Sequence, residues 1–238
     1  MSQALQDLLA LQDIDLSIDQ LKHRRDHLPE GETKAGLDRL HADQSAELAM
    51  TEASLEEVSG RQAHAEAELA GTETRAGQIN QRMFGGQVIA PRDLQAMQAE
   101  LDHLKTRSSA MEDTVIELME ERQPIEEKVA ELSRSVADVT ARRDQAAAAL
   151  ADAQAVVTGQ LGDVEAERER ALAAIPAPLL ATYERLRGRL GGVGVARLVG
   201  NHCDGCHLTL SAVELEQVRH LPDGEVYTCE QCGRILVP

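Results

Sequence analysis

Apolar side chains recur at alternating steps of three and four from Leu94 to Val157. The series is Leu94, Met97, Leu101, Leu104, Ser108, Met111, Val115, Leu118, Arg122, Ile125, Val129, Leu132, Val136, Val139, Arg143, Ala146, Leu150, Ala153 and Val157. Sixteen of these nineteen positions are apolar, the exceptions being Ser108, Arg122 and Arg143. That period, held over nine heptads, predicts a coiled-coil helix. At a rise of about 1.5 Å per residue it would be roughly 95 Å long. A matching, weaker pattern precedes it. Leu48, Leu55, Gln62, Leu69, Ala76 and Met83 form one row, and Thr51, Val58, Ala65, Thr72 and Ile79 the other. Further upstream, Leu11, Ile14, Ile18, Leu21 and Leu28 belong to another heptad stretch, with Pro29-Glu30-Gly31 as a break or kink between the two.

Phe84-Gly85-Gly86 ends the first long pattern and Pro91 suits the first turn of the next. A turn at about 84–93 therefore predicts an antiparallel intramolecular hairpin, with an intermolecular coil through the same seams as the alternative. Gly36, Gly60, Gly71 and Gly77 lie inside the predicted first arm, and each costs a helix about 1 kcal/mol relative to alanine. Pro124 removes a backbone donor from the return arm. The expected hairpin is thus kinked, with a loosened first arm.

Composition narrows the fold class. Of 238 residues 42% are apolar, but 34 are alanine, and Phe84, Tyr183 and Tyr227 are the only aromatics. Large aromatic side chains dominate compact cores, so a round globule with a deep substrate pocket is not expected. The formal net charge of −17 argues against coating nucleic acid or an anionic membrane. No apolar run approaches the roughly 20 residues that cross a bilayer, and the N-terminus lacks the basic lead and cleavage site of a signal peptide. The sequence predicts a cytoplasmic protein.

The last part of the chain has different chemistry. Ile175-Pro176-Ala177-Pro178 stops the helix, a short helix Leu179 to Arg187 follows, and Gly191, Gly192 and Gly194 interrupt the chain. All four cysteines then fall as Cys203-Asp204-Gly205-Cys206 and, after 22 residues, Cys229-Glu230-Gln231-Cys232-Gly233. Two CxxC turns at this separation predict a zinc ribbon, because each turn brings two sulfurs to one ion and the two turns complete a tetrahedron. Four thiolates leave no open position for water, so the zinc is expected to be structural. A redox dithiol and a sulfur-ligated iron are the alternatives. Gly205 and Gly233 are expected to supply unusual backbone conformations. Strands are expected at 194–200, 225–228 and 234–237, and a helix over 211–219 capped by Ser211 with Glu214. His202 and His207 read as exposed neighbours of the first turn or as substitute ligands. The domains are expected as 1–175 hairpin, 176–192 linker and 193–238 ribbon.

On these residues the chain resembles a bacterial family, the C4-type zinc-ribbon proteins with an N-terminal coiled-coil hairpin. The resemblance rests on Val88-Ile89-Ala90-Pro91-Arg92-Asp93-Leu94, Leu101-Asp102-His103-Leu104 and Glu117-Leu118-Met119-Glu120. It continues through Gly192-Val193-Gly194-Val195-Ala196-Arg197, the first CxxC, and Cys229-Glu230-Gln231-Cys232-Gly233-Arg234-Ile235-Leu236. It implies an elongated kinked hairpin ending in a ribbon with one zinc. It also implies an adaptor or chaperone-like role. Partners in the family include an alternative sigma factor, flagellar or type III secretion components, and a messenger RNA.

Three functions compete. A protein-binding adaptor would use the hairpin, with Phe84, Val88 and Ile89 at its turn as the docking point. A nucleic-acid-binding regulator would use the ribbon, with Arg185, Arg187, Arg189, Arg197 and Arg234 on phosphates. An enzyme finds no support in a Walker loop, nucleophile elbow, HExxH or dinucleotide fingerprint, so no small-molecule substrate is expected. The fold class expected is mainly α, a long kinked antiparallel coiled-coil hairpin followed by a small β-rich zinc ribbon.

Overall fold

The computed structural model describes residues 3–86, 90–222 and 225–238. Among them five helices and four short strands follow in the order α1 Gln3–Asp26, α2 Pro29–Phe84, α3 Pro91–Leu172, α4 Ala177–Arg189, β1 Val195–Val199, β2 His202–Cys203, α5 Ala212–Arg219, β3 Tyr227–Thr228 and β4 Ile235–Val237. The expected mainly helical fold, a long helical hairpin followed by a small strand-containing zinc ribbon, is the one observed. Tertiary contacts divide the chain into two compact units, Lys34–Gln145 and the combination of Met1–Thr33 with Ala146–Pro238.

The unit Lys34–Gln145 is the antiparallel pair of α2 and α3. Every position of the heptad rows from Leu48 to Met83 and from Leu94 to Arg143 is buried or half-buried. Val58, Ile79, Leu101, Leu104, Leu118, Leu132 and Val139 are the deepest apolar members. The direction of pairing is read from contacts between the arms. Gln44 meets Ser135, Gln62 meets Arg122, Thr72 meets Met111 and Arg75 meets Glu100, so one index falls as the other rises. Gln62, Arg122 and Arg143, polar interruptions of the seam, have partners on the other arm. Gln62 is 7% exposed, accepts from Arg122 at 2.9 Å and donates to Glu66 at 2.7 Å. Arg143 lies 3.9 Å from Asp38, and Lys34 together with Arg143 holds the Asp38 carboxyl below its usual range. Both helices run unbroken, α2 through its five glycines and α3 through Pro124.

The turn is built by glycine. Gly85 donates to the Gln81 carbonyl at 2.8 Å, and a Cβ on Gly85 would lie 2.7 Å from that oxygen. Gly86 has φ 76°, a region that favours glycine. Pro91 opens α3 at a position where its missing N–H is not needed.

In the other unit, α1 and Leu28 just after it pack on the end of α3 through Ile18, Leu28, Val157 and Leu161. Leu5, Leu8 and Leu11 of α1 share a second core with Ile175, Tyr183 and Leu186, and with Val195, Ile235 and Val237 of the sheet. The sheet has strand order β2-β1-β4-β3, with β1 parallel to β4 and both edge pairs antiparallel. Its other face covers Ala196, Cys203, Leu210, Val218, Cys229 and Leu236. The short helix after the proline stop is two residues longer at each end than the sequence suggests. Pro176 and Pro178 flank its first residue, and it buries Tyr183 and Leu186 completely or nearly so.

Candidate metal centre

The two CxxC turns are built alike. In the first, His207 N–H donates to the Cys203 carbonyl at 2.7 Å, and Cys203 N–H donates to Leu208 O at 3.0 Å. In the second, Gly233 N–H donates to the Cys229 carbonyl at 2.7 Å, and Cys229 N–H donates to Arg234 O at 2.8 Å. The residue after each second cysteine takes the left-handed conformation, φ 59° at His207 and 74° at Gly233. The sequence expectation for Gly233 holds. Gly205 does not have a positive φ, and its role is close approach instead. A Cβ there would lie 2.6 Å from Arg234 Cδ and 2.9 Å from the Ala196 Cβ. The left-handed position of the first turn is filled by a histidine, which carries a steric penalty that glycine avoids.

These turns bring the sulfurs of Cys203, Cys206, Cys229 and Cys232 within 4.8 Å of one another. The Cys203–Cys232 and Cys206–Cys229 sulfurs are each 3.9 Å apart. Four convergent thiols with no carboxylate or imidazole among them are a soft donor set that fits one zinc. His202 and His207 are outside this cluster. Without a metal, burial pushes the Cys203 thiol up to about 12. At Cys232 burial also raises the value, but hydrogen bonds from the Arg234 backbone and side chain outweigh it and bring the thiol down to about 7.

A second polar centre joins α1, α3 and α4. Asp15 of α1 is 1% exposed. Tyr183 Oη donates to its Oδ2 at 2.6 Å and Arg168 Nε to its Oδ1 at 2.7 Å. Arg168 also binds Glu184, while Arg187 holds both oxygens of Asp19 at 2.9 and 3.0 Å. Burial, then the hydrogen bond to Asp15, raises the Tyr183 hydroxyl far above its ordinary value. The hydrogen bond to Asp15 likewise raises Arg168, against the opposing effect of burial. One turn earlier, Gln12 clamps the entry to β1. Its Oε1 accepts from Gly194 N–H at 2.7 Å, and its Nε2 donates to Gly192 O at 2.9 Å.

The model of the CT398-like coiled coil hairpin domain matches residues 11–191. The chain belongs to this family. A C4-type zinc ribbon domain matches residues 202–236, and with the four converging cysteines it gives the protein one structural zinc. Two uncharacterized proteins of Mycobacterium tuberculosis, one from each of two strains, are 28% identical over 233 residues. These matches cover 97% of this chain and 93% of each relative. A solved structure from Mycobacterium smegmatis superposes with TM-score 0.88 at 24% identity, over 98% of this chain and 97% of its own. CT398 from Chlamydia trachomatis superposes with TM-score 0.70 at 18% identity, over 98% and 96%. At these identities the two structures share the fold with this chain.

The family fold places the other expected contact residues unevenly. Phe84 ends α2 and is 76% exposed, whereas Val88 and Ile89 lie outside the described residues. Arg187 is tied to Asp19 and lies 3.5 Å from Asp15. Arg234 donates from Nε to the Val193 carbonyl at 3.1 Å. Arg185 and Arg189 are exposed, and Arg197 stands 3.7 Å from Asp13. The five arginines therefore do not form one free basic surface. The sequence reading missed the Asp15 centre. Gln12 and Asp15 continue the row Leu5, Leu8 at steps of three and four onto the buried face of α1, but no spacing in the sequence joins Asp15 to Arg168 and Tyr183.

Proposed function

We propose that this protein is a non-enzymatic adaptor of chaperone-like character that binds a protein partner through its hairpin. The zinc ribbon serves as a folded anchor at the other end of the sequence. The observation that carries the reading is Phe84. The chain's one phenylalanine ends the first arm with 76% of its surface exposed, rather than folding back over the seam. An exposed aromatic is the residue type that anchors protein interfaces. The zinc ligands in this proposal are Cys203, Cys206, Cys229 and Cys232. The functional division is 1–175 for the hairpin segment, 176–192 for the joining segment and 193–238 for the ribbon.

Several features support a binding role over catalysis. Among the described residues Asp15 is the sole buried carboxylate, and both its oxygens are taken by Tyr183 and Arg168. The thiols that could act as nucleophiles are those that fit the zinc. No helix among the described residues is long and apolar enough to cross a membrane, and we place the protein in the cytoplasm. The second reading is a regulator that holds RNA or DNA with the ribbon and Arg185, Arg189 and Arg197. It is weakened by the internal bonds of Arg187 and Arg234.

The test is in-cell crosslinking of the tagged protein, with captured protein and RNA identified together. A dominant protein partner that survives nuclease treatment and is lost on Phe84→Ala supports the adaptor. RNA that disappears in a Cys203→Ser, Cys206→Ser control contradicts it and moves the function to the ribbon. Metal analysis tests the ligand assignment, for which less than half an equivalent of zinc would be fatal.

A further inference from the structure

The two flanks of the hairpin seam are not equivalent. On one flank the arms are tied by three ion pairs, Arg61–Glu121 at 3.0 Å, Arg75–Glu100 at 2.7 Å and Lys128–Glu47 at 3.8 Å. Each of these residues directly precedes a position of the seam in its heptad. The opposite flank carries the residues four places after the row Leu48, Leu55, Gln62, Leu69 in α2 and the row Leu94, Leu101, Ser108, Val115, Arg122 in α3. In the middle of the hairpin these are Glu66 and Glu73 on α2 and Glu112, Met119 and Glu126 on α3. Among the described residues, no ion pair joins the arms through these five.

The α3 stretch Glu112–Glu121 sharpens the contrast. It holds five acids and no basic residue. Only Glu121 has an ion-pair partner among the described residues, and that partner is on the tied flank. Asp113 with Glu117, and Glu117 with Glu121, are like charges four residues apart, a spacing that repels. Within this charge stand two large apolar side chains on one helical face, Ile116 at 53% and Met119 at 49% exposed. Single exposed apolar residues need no explanation. Two at i and i+3, set among acids without ion-pair partners on the flank that no ion pair ties in the middle of the hairpin, form a ridge with a charged rim.

We infer that this flank, centred on Ile116 and Met119, docks a basic amphipathic helix of a partner protein. The inference rests on the adaptor reading and names the surface and the partner chemistry. A helix with an apolar stripe would cover Ile116 and Met119, and its lysines or arginines would relieve the acids around them. A second copy of the same flank would bring acid against acid. Nucleic acid and anionic lipid are repelled for the same reason.

The probe is a synthetic 21-residue peptide with leucine at heptad positions a and d and lysine elsewhere, titrated into the full-length zinc-bound protein at about 0.15 M salt. Binding is read by anisotropy, and a photo-crosslinker at position 119 or 114 reports the flank. Ile116→Lys with Met119→Lys is compared with Ala110→Lys with Thr114→Lys. The second pair adds the same charge on the other flank, and both pairs are exposed, so helicity by circular dichroism serves as the fold control. The expected result is at least a tenfold loss of affinity for the first pair, less than twofold for the second, and crosslinks from 119 only. Equal losses in the two variants, crosslinks from both positions, or no binding to the parent chain would overturn the inference. So would self-association of the parent abolished by the first pair, which would make the occupant a second copy. Capture of the cellular partner at Phe84 is read separately, so the adaptor reading can stand while this flank fails, and the reverse.

Discussion

The hairpin Lys34–Gln145 and the unit that contains the ribbon are held together in different ways. The hairpin repeats one contact. Most turns of α2 and α3 add a partly buried apolar pair, and the polar pair Gln62 with Arg122 is bonded within the seam. No single residue there decides whether the arms pair. In the other unit a few points carry the structure. Four thiols are drawn together by two turns, one aspartate receives a tyrosine and an arginine, and one glutamine fixes the chain where it enters the sheet. Repetition gives a fold tolerant of local change, whereas point contacts give one that fails when a single group is lost.

Replacing two ligands breaks the contrast most severely. Cys203→Ser with Cys206→Ser should unfold the ribbon, because zinc binding contributes folding free energy on the order of 10 kcal/mol in small zinc domains. The near-complete loss of strand signals in NMR would check it, with the hairpin helices retained. Next comes Asp15→Leu, which leaves the buried Tyr183 hydroxyl without its acceptor and the half-buried Arg168 with Glu184 alone. Removing one partner of such a group costs about 3 kcal/mol, and chemical denaturation followed separately in each unit should show the loss only outside 34–145.

The hairpin should respond in the opposite sense to multiple substitution. Gly60, Gly71 and Gly77 have open space where a Cβ would stand, so the triple change to alanine should raise its stability by about 2 kcal/mol at 0.5–1 kcal/mol each. A higher thermal midpoint for the hairpin transition is the readout.

Sequence periodicity revealed the hairpin because its stabilising unit repeats every seven residues. All nineteen positions that carry the pattern from Leu94 to Val157 are buried or half-buried. The ribbon was legible through its cysteine spacing and through the capping box of Ser211 and Glu214, which is formed as expected. The Asp15 centre was not, because its members are 153 and 168 residues apart and no spacing rule joins them. Nor does the sequence show that Arg187 and Arg234 have internal partners, since an arginine reads the same in a sequence whether free or bound. The role of Gly205 as a close-approach residue depends on Arg234, which arrives from the other CxxC turn.

Two smaller effects sharpen the comparison. Tyr183 ionises near pH 10 when unfolded and at a higher value when folded. Its stabilising contribution is therefore complete below about pH 10 and is lost as pH rises beyond it. Alkaline titration should weaken the ribbon-bearing unit, and Tyr183→Phe should flatten that dependence. His207→Gly relieves a left-handed histidine and should stabilise the first turn by about 1 kcal/mol, seen as a slightly higher denaturant midpoint for the zinc-bound protein.

Hydrogen exchange across the chain, before and after zinc is removed by a chelator, tests most directly the claim that point contacts hold one unit and repetition the other. The account predicts that amides of residues 195–237 lose their protection while those of 34–145 keep theirs. Retained protection over 195–237, or equal loss in the hairpin, would contradict it.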